Sequence, residues 1–114
     1  DTIGAMKIRA LCPDATLVYI LPPSWDELKS RLSSTGIYNK EEVNALMEIA
    51  EEEISCANSY DYILVNDTIS NTLSRFAQII HSNRYSRNCM KEFLDSYIDG
   101  EVKPHVQSYK EALL

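Results

Sequence analysis

Two short, continuous apolar segments constrain the fold of this chain more than any other feature of its sequence. The first is ATLVYIL at residues 15–21, and the second is ILV at residues 63–65. Both are rich in β-branched residues and are bounded by turn-forming residues, which is typical of strands buried on both faces of a parallel sheet. Helical patterns surround them, so the sequence predicts an α/β fold.

Five helices are predicted around these strands from apolar spacing and terminal signals. Ser24 with Glu27 three residues later predicts a capping box, and Gly36 is a typical helix end. Asn39 can cap a long helix, and Thr68 or Ser70 can cap the next. The segment after Gly100 is weakly periodic, and either a short helix or a loose tail fits it. The predicted helices cover residues 4–11, 25–34, 40–58, 69–82 and 89–99.

Each predicted helix carries an apolar face that we expect to be buried, and for the last helix this means packing on its own domain or docking on a partner. The long helix also carries a row of glutamates opposite its apolar stripe, which is typical of a solvated face. The apolar faces comprise Ala5, Ile8 and Leu11; Leu28 and Leu32; Val43, Leu46, Met47, Ala50, Ile54 and Ala57; Ile69, Leu73, Phe76, Ala77 and Ile80; and Met90, Phe93, Leu94, Tyr97 and Ile98.

Two strands are too few for a stable sheet, since three or more are needed for independent stability. The sequence begins at Asp1 rather than at a methionine. We therefore expect a fragment or a processed chain whose remaining strands lie in an N-terminal part. A protein partner, or a homo-oligomer that completes the sheet, is the alternative.

Composition and charge exclude some classes of function. The formal net charge is −6, which disfavours broad nucleic-acid binding because phosphates require a positive surface. No apolar run is long enough for a membrane span, and no secretory signal is present, so a cytoplasmic protein is expected. The three cysteines, Cys12, Cys56 and Cys89, are widely spaced, which predicts buried free thiols rather than a zinc site.

Candidate ligand-binding residues follow the two predicted strands, because ligands of open α/β sheets bind at the carboxyl ends of strands. Asn66 and Asp67 follow the second strand, and Arg31 lies two turns into the helix after the first. One interpretation is a nucleotide pocket, with Arg31 over a base and Asn66 bonded to its edge. The other is a turn that caps a helix, with Arg31 on a solvated face.

Several motifs of catalysis are absent from the 114 residues. There is no GxxxxGK[ST] phosphate loop, no GxGxxG and no HExxH. His81 and His105 are isolated, so no metal site is predicted. Asp1 precedes a Gly-Ala turn into a helix, where it is either a site residue or an ordinary helix cap.

An ordered set of motifs resembles the C-terminal half of the guanylate kinase family, at that family's spacing and over about residues 1–80. The family pattern Asp-x-x-Gly-Ala…Ile-[RK]…Pro-x-Ala is matched by three segments in order. These are DTIGA at residues 1–5, Ile8-Arg9, and PDA at residues 13–15. ILPPS resembles the family's Ile-x-Pro-Pro-Ser strand end. The matching segments are residues 1–5, 8–9, 13–15, 20–24, 26–32, 57–62 and 65–67.

The resemblance implies a partial P-loop kinase fold: a parallel sheet with flanking helices, and an extra C-terminal helix. Residues 1–83 would be the C-terminal half of a guanylate-kinase-like domain, and residues 84–114 a helical extension. The implied reaction converts ATP and GMP to ADP and GDP with Mg²⁺. The resemblance places Arg31 and Asn66 beside the adenine of ATP, and Asp1 near the GMP and magnesium side.

Two departures from the family pattern bear on activity. Thr35 stands where the family's lid carries an arginine, and Leu46 stands where a second phosphate-binding arginine belongs. Loss of such a group commonly costs orders of magnitude in rate. The sequence thus assigns no catalytic residue, and this chain alone is predicted to be inactive. Three functions remain open: a phosphotransferase of the family, a non-catalytic module that binds a protein, and a structural remnant that dimerises.

Overall fold

The computed structural model describes residues 1–99. Helices and strands alternate in that part of the chain, which confirms the predicted α/β class. The elements are α1 (Thr2–Leu11), β1 (Val18–Leu21), α2 (Trp25–Ser34), α3 (Lys40–Glu53), a 3-10 helix (Ile54–Ser59), β2 (Tyr62–Val65), α4 (Ile69–Asn83) and α5 (Lys91–Asp99).

The sheet consists of β1 and β2 in residues 1–99, and the two strands are parallel. Val18 pairs with Tyr62 at one end of the ladder, and Leu21 pairs with Val65 at the other. The connection through α2 and α3 is the kind of crossover that parallel strands require. It brings the carboxyl ends of both strands to the same edge of the sheet.

The predicted start of α2 is confirmed in part. The Ser24 hydroxyl accepts a hydrogen bond from the Glu27 backbone N–H at 3.1 Å. The second half of the predicted capping box is not formed, because the Glu27 carboxylate instead accepts from Nε of Arg31 at 2.9 Å. Gly36 follows the last residues of α2 with a φ of 69°, as expected for a glycine that ends a helix.

The long third helix is shorter than predicted. Asn39 caps it as expected, in a full capping box with Glu42. The α-helix ends at Glu53, and a 3-10 helix covers residues that were predicted as α-helical. In this stretch the Ser55 hydroxyl donates to the Glu52 carbonyl at 3.1 Å, and serine side chains that bond to nearby backbone compete with regular helix.

The start of α4 distinguishes between the two predicted caps. The Thr68 hydroxyl accepts from the Asn71 N–H at 3.2 Å, and the Thr68 carbonyl accepts from the Thr72 N–H at 2.9 Å. Thr68 rather than Ser70 therefore caps the helix.

Few apolar residues are buried within residues 1–99: the buried set is Leu17, Val43 and Leu64. The prediction of strands buried on both faces is wrong, because Ile20 is 55% exposed and Ile63 is 50% exposed. A parallel sheet is normally covered on both faces. In the described part of the chain these side chains lack such a cover.

The predicted burial of the helix faces fails for α1 and α4 and is partial for α2 and α3, while most of the apolar face of α5 is exposed. Val43 is buried, and the other predicted stripe residues of α3 are half-buried. The glutamate face of α3 is exposed except for half-buried Glu53. Exposed members of the other predicted faces include Ile8, Leu11, Ile69, Leu73, Phe76, Ile80, Phe93, Leu94 and Tyr97.

The chain divides into two compact units, of which the first is Asp1–Ala77 and the second begins at Gln78. In the second unit, the rings of Phe93 and Tyr97 meet edge to face with centroids 5.1 Å apart. The predicted stop at Gly100 and the predicted tail lie outside the described residues. The expectation of buried thiols is wrong, since Cys12 and Cys89 are exposed and Cys56 is half-buried.

One ion pair ties three segments of the first unit together. Nη2 of Arg9, on α1, donates to Oδ2 of Asp61, just before β2. The same carboxylate oxygen accepts from the Leu17 backbone N–H at 2.7 Å. Because Leu17 is buried directly before β1, this carboxylate fixes where both strands begin.

Candidate functional site

Two arginines from different helices converge on the turn that follows β2. Nη2 of Arg31, on α2, donates to the backbone carbonyl of Asp67 at 3.2 Å. Nη1 of Arg75, on α4, donates to the carbonyl of Val65 at 3.2 Å. The turn is therefore held from both sides, at the carboxyl end of the sheet.

Asn66 lies inside this turn and is half-buried. Its backbone N–H donates to the carbonyl of Leu21 at the end of β1 at 2.6 Å. Its side-chain Oδ1 accepts from the Thr72 hydroxyl at 3.0 Å. Backbone and side chain are thus both anchored, so the amide group is held in one orientation at the strand end.

Asp67 carries a negative charge within this turn. Its Oδ1 accepts from the Thr68 N–H at 2.7 Å and lies 3.0 Å from Nη1 of Arg75. The Thr68 hydrogen bond, followed by the interactions with Arg75, holds the pKa of the Asp67 carboxyl below its ordinary value. Asp67 therefore stays ionised near neutral pH and keeps Arg75 in place.

The Arg31 guanidinium is oriented by two contacts in its own plane. Nε donates to the Glu27 carboxylate at 2.9 Å while Nη2 donates to the Asp67 carbonyl. The flat face of a guanidinium can stack on planar aromatic groups. The arrangement can accept a heterocyclic base against Arg31, with the Asn66 amide as a hydrogen-bonding partner.

The structure brings the predicted site residues Arg31 and Asn66 to the same turn. It also shows part of the alternative interpretation, because the Asp67 carboxylate accepts from the Thr68 N–H in the turn before α4, although the side chain that caps the helix is that of Thr68. The two interpretations are compatible, since these side-chain contacts of Asp67 and Thr68 involve neither the side chain of Asn66 nor the guanidinium of Arg31. Arg31 itself is half-buried rather than on a fully solvated face.

Asp1 has a different environment. It is the N-cap of α1, and its carboxylate accepts from the Gly4 backbone N–H. A Cβ added at Gly4 would lie 2.9 Å from Oδ1 of Asp1, so the glycine makes room for this cap. In the described residues, no hydrogen bond or ion pair joins Asp1 to Arg31 or Asn66.

A cavity of about 410 Å³ lies beside β1 in the first unit. Its lining is mostly apolar and aromatic, and neither Arg31 nor Asn66 contributes to it. Desolvation by burial, followed by the negative charge of Glu53, raises the pKa of the Tyr19 hydroxyl in this lining. Lining residues include Tyr19, Ile20, Trp25, Leu28, Glu53 and Ile54.

The two residues at the family's arginine positions are engaged in local structure. Thr35 is the C-cap of α2, and its hydroxyl donates to the Leu32 carbonyl at 2.9 Å. Leu46 is half-buried on the apolar stripe of α3. Neither side chain carries a charge that could neutralise a phosphate.

Acidic and sulfur ligands are dispersed in the part of the chain that is described. No group of three or more His, Cys, Asp or Glu side chains in residues 1–99 could hold a metal ion. The same residues include no helix long and apolar enough to cross a membrane.

Arg75 and Thr72 are the site residues that sequence reasoning missed. Thr72 lies six residues after Asn66, and Arg75 lies eight residues after Asp67. Helical spacing could have predicted them. Both residues lie on the first two turns of α4, from which a side chain can reach back to the strand end. Neither residue belongs to a recognisable motif.

Comparison with known proteins gives the family. The guanylate kinase family model matches residues 1–83. The chain is 44% identical over 84 residues to guanylate kinase of Francisella tularensis strain SCHU S4, covering 73% of this chain and 44% of that protein.

Two further relatives are also guanylate kinases. A guanylate kinase of Thermus thermophilus is 36% identical over 92 residues, which cover 81% of this chain and 41% of the relative. That of Halalkalibacterium halodurans is 31% identical over 98 residues, covering 86% of this chain and 48% of the relative. The chain thus spans less than half the length of each relative. It belongs to the guanylate kinase family.

Proposed function

We propose that this chain supplies the adenine side of a guanylate-kinase-type phosphotransferase, which converts ATP and GMP to ADP and GDP in the whole protein. Arg31 stacks on the adenine and Asn66 bonds to its edge. Arg75 and Thr72 position the turn and the amide. The observation that carries the proposal is the convergence of Arg31 and Asn66 on the turn after β2, at the carboxyl ends of the strands.

The role of these residues is binding and orientation. Phosphoryl transfer depends mainly on positioning the two substrates and neutralising charge on the transferring group. A base held at the strand end fixes the distance at which the phosphates of ATP lie from the sheet. We place Asp1 on the GMP side, as a helix cap rather than as a partner of Arg31.

The charge-neutralising part of the reaction is not assigned to this chain. Its sequence has no GxxxxGK[ST] phosphate loop, and Thr35 and Leu46 lack the cationic groups of the family pattern. The Mg²⁺ that the family uses finds no cluster of ligands in residues 1–99, so we derive no step through it. We expect the 114-residue chain by itself to be inactive.

Thr35 and Leu46 favour a second function, that of a non-catalytic module that binds a protein. A guanylate-kinase-like module that binds a protein does not need the two phosphate-binding arginines that Thr35 and Leu46 replace. The Leu46 side chain instead belongs to a half-buried apolar stripe. In that case the turn after β2 is a structural feature. The two functions differ in whether ATP protects the turn from hydrogen exchange.

Two further elements of the proposal concern organisation. We place the end of the guanylate-kinase-like part at residue 83 and treat residues 84–114 as a helical extension with its own role. We also place the protein in the cytoplasm.

The experiment is a GMP-dependent ATP turnover assay on the protein expressed from its complete reading frame. We expect ADP and GDP to form together. Arg31→Ala should raise KM for ATP while KM for GMP stays unchanged, because the substitution removes contact with one base only. The matched control is Lys29→Ala, an exposed residue on the same helix.

Absence of turnover in the complete protein would contradict the phosphotransferase and favour the interaction module. A change in KM for GMP in Arg31→Ala, equal to that for ATP, would contradict the assignment of Arg31 to the adenine side.

A further inference from the structure

The side chain of Asn66 carries two different hydrogen-bonding groups, and the fold uses one of them. An asparagine amide has an oxygen that accepts hydrogen bonds and a nitrogen that donates them. Oδ1 of Asn66 accepts from the Thr72 hydroxyl at 3.0 Å. Nδ2 of Asn66 has no hydrogen-bond partner in residues 1–99. The group that remains for a ligand is therefore the donor.

Nδ2 of Asn66 is also accessible to a ligand. Among the described residues, the buried side-chain nitrogen and oxygen atoms that lack a partner are limited to Nε of Arg9. Asn66 is half-buried, so a buried and unpaired Nδ2 would belong to that set. Because it does not, the NH₂ group reaches solvent at the carboxyl end of the sheet, where ligands of such sheets bind.

Thr72 holds the Asn66 amide from a fixed position. It lies in the first turn of α4, where its backbone N–H donates to the Thr68 carbonyl at 2.9 Å. The branched side chain of a threonine in a helix has few rotamers. The backbone of Asn66 is held as well, since its N–H donates to the Leu21 carbonyl at 2.6 Å. The plane of the amide is thus set by contacts on the protein side of the turn.

This orientation limits which atoms of a base the amide can recognise. An asparagine that uses both amide atoms pairs with adenine at N7 and at the 6-amino group together. That pairing needs the amide oxygen to accept from the 6-amino group, and in this chain Thr72 already engages the oxygen. Donation from Nδ2 to N7 remains, and N7 is an acceptor in guanine as well as in adenine.

We propose that Thr72 restricts the Asn66 amide to donating a hydrogen bond to N7 of the base. The site then takes purine nucleoside triphosphates as a class and does not require the 6-amino group of adenine. This inference rests on the proposed adenine side, and it adds the atom of the base that is recognised and the residue that selects it. Thr72 is a positioning residue, because its hydroxyl contacts Asn66 rather than the base.

The test measures equilibrium binding of nucleotides, without GMP, to the protein expressed from its complete reading frame. The probes are ATP, 7-deaza-ATP, which lacks N7, and purine ribonucleoside triphosphate, which lacks the 6-amino group. We expect 7-deaza-ATP to bind about fivefold to tenfold more weakly than ATP, as loss of one hydrogen bond requires. Purine ribonucleoside triphosphate should bind within about twofold of ATP. In Asn66→Ala the difference between ATP and 7-deaza-ATP should disappear.

Variants of Thr72 separate positioning from a purely structural role. Thr72→Val lacks the hydroxyl, so the Asn66 oxygen becomes free to accept from the 6-amino group. We expect this variant to bind ATP at least about fivefold more tightly than purine ribonucleoside triphosphate. Thr72→Ser keeps the hydroxyl and should behave as the unaltered protein does. Ser74→Ala, at an exposed position on the same helix, is the control and should leave every affinity ratio unchanged. A structural role would weaken all three nucleotides alike.

Three results would overturn the inference. The first is ATP binding that Arg31→Ala weakens, together with an equal affinity for 7-deaza-ATP. The second is affinity for purine ribonucleoside triphosphate well below that for ATP in the unaltered protein, and the third is a ratio of these two affinities that Thr72→Val does not change. All three leave the proposed adenine side intact. Absence of binding by every nucleotide would instead contradict the proposed function, and this inference with it.

Discussion

Nη1 of Arg75 lies 3.0 Å from Oδ1 of Asp67 and donates to the carbonyl of Val65 at 3.2 Å. One guanidinium atom thus holds both ends of the segment that contains Asn66. The contact joins the second turn of α4 to the end of β2. A single residue therefore positions the candidate base site.

Replacement of Arg75 by methionine should loosen this turn. The hydrogen bond from a charged donor to the Val65 carbonyl stabilises the fold by about 1 kcal/mol at an exposed site. We expect Arg75→Met to lower the free energy of unfolding in urea by about that amount, and to speed hydrogen exchange at Asn66 and Asp67. Lys29→Met on α2 is the control. Equal exchange rates in Arg75→Met and the unaltered chain would contradict the positioning role.

Acid should weaken the same turn in a defined range. The pKa of Asp67 is lowered, first by the Thr68 hydrogen bond and then by Arg75. Because this pKa is lowered, the ionised Asp67 stabilises the folded state fully when the pH is above 3.8, the ordinary pKa of the group. That stabilisation is lost as the pH falls through the lower pKa of the folded state. An NMR titration of the Asp67 carboxyl carbon measures this midpoint directly.

Arg75→Met separates the contribution of Arg75 to that pKa shift from the contribution of the Thr68 hydrogen bond. We expect the midpoint to rise in the variant yet stay below 3.8, because the Thr68 N–H remains. Asp67→Asn should remove this part of the acid sensitivity altogether. A midpoint at or above 3.8 in the unaltered chain would show that the carboxylate is not held as described.

Gly4 should respond to alanine in a way that depends on Asp1. In an ordinary helix Gly→Ala stabilises by roughly 0.5–1 kcal/mol. Here the new Cβ would lie 2.9 Å from the capping carboxylate oxygen, and loss of a cap costs about 1 kcal/mol. We expect Gly4→Ala to give no gain in the unaltered chain but a gain in the Asp1→Ala background. A gain of equal size in both backgrounds would exclude the cap.

Asp61 should be required for the start of both strands. Asp61→Ala leaves the Leu17 N–H without its 2.7 Å partner at a buried position. An unsatisfied buried donor costs about 1–3 kcal/mol, so we expect a loss of stability in that range and faster exchange of the Leu17 amide. Asp61→Asn keeps an acceptor and should be milder. Glu51→Ala, on the exposed face of α3, is the matched control, and an equal loss there would contradict the assignment.

The sequence predicted those parts of the fold that local chemistry determines. The strands, the caps at Ser24, Asn39 and Thr68, and the helix end at Gly36 depend on residues within a few positions of one another. The end of α3 at Glu53 was missed because the apolar stripe continues through the 3-10 helix. Periodicity alone does not distinguish the two helix types in so short a segment.

Burial and the site depend on contacts between distant segments, and these were harder to predict. Ile20 and Ile63 belong to apolar runs, but their exposure depends on which elements cover the sheet. The proximity of Arg31 and Asn66 could be predicted because the carboxyl ends of parallel strands coincide, whereas their role beside adenine came from the resemblance and stays a prediction. Arg75 could not be predicted, since its contacts with Val65 and Asp67 require the path of α4 to be known.

The proposed base site is tested most directly by titrating the ¹⁵N-labelled 114-residue chain with ATP and following its backbone amides by NMR. We expect saturable shifts centred on Arg31, Asn66 and Asp67. Arg31→Ala and Asn66→Ala should weaken binding, and Lys29→Ala should not. Shifts confined to another part of the chain, or an unchanged affinity in Arg31→Ala, would contradict the assignment of the adenine side to this turn.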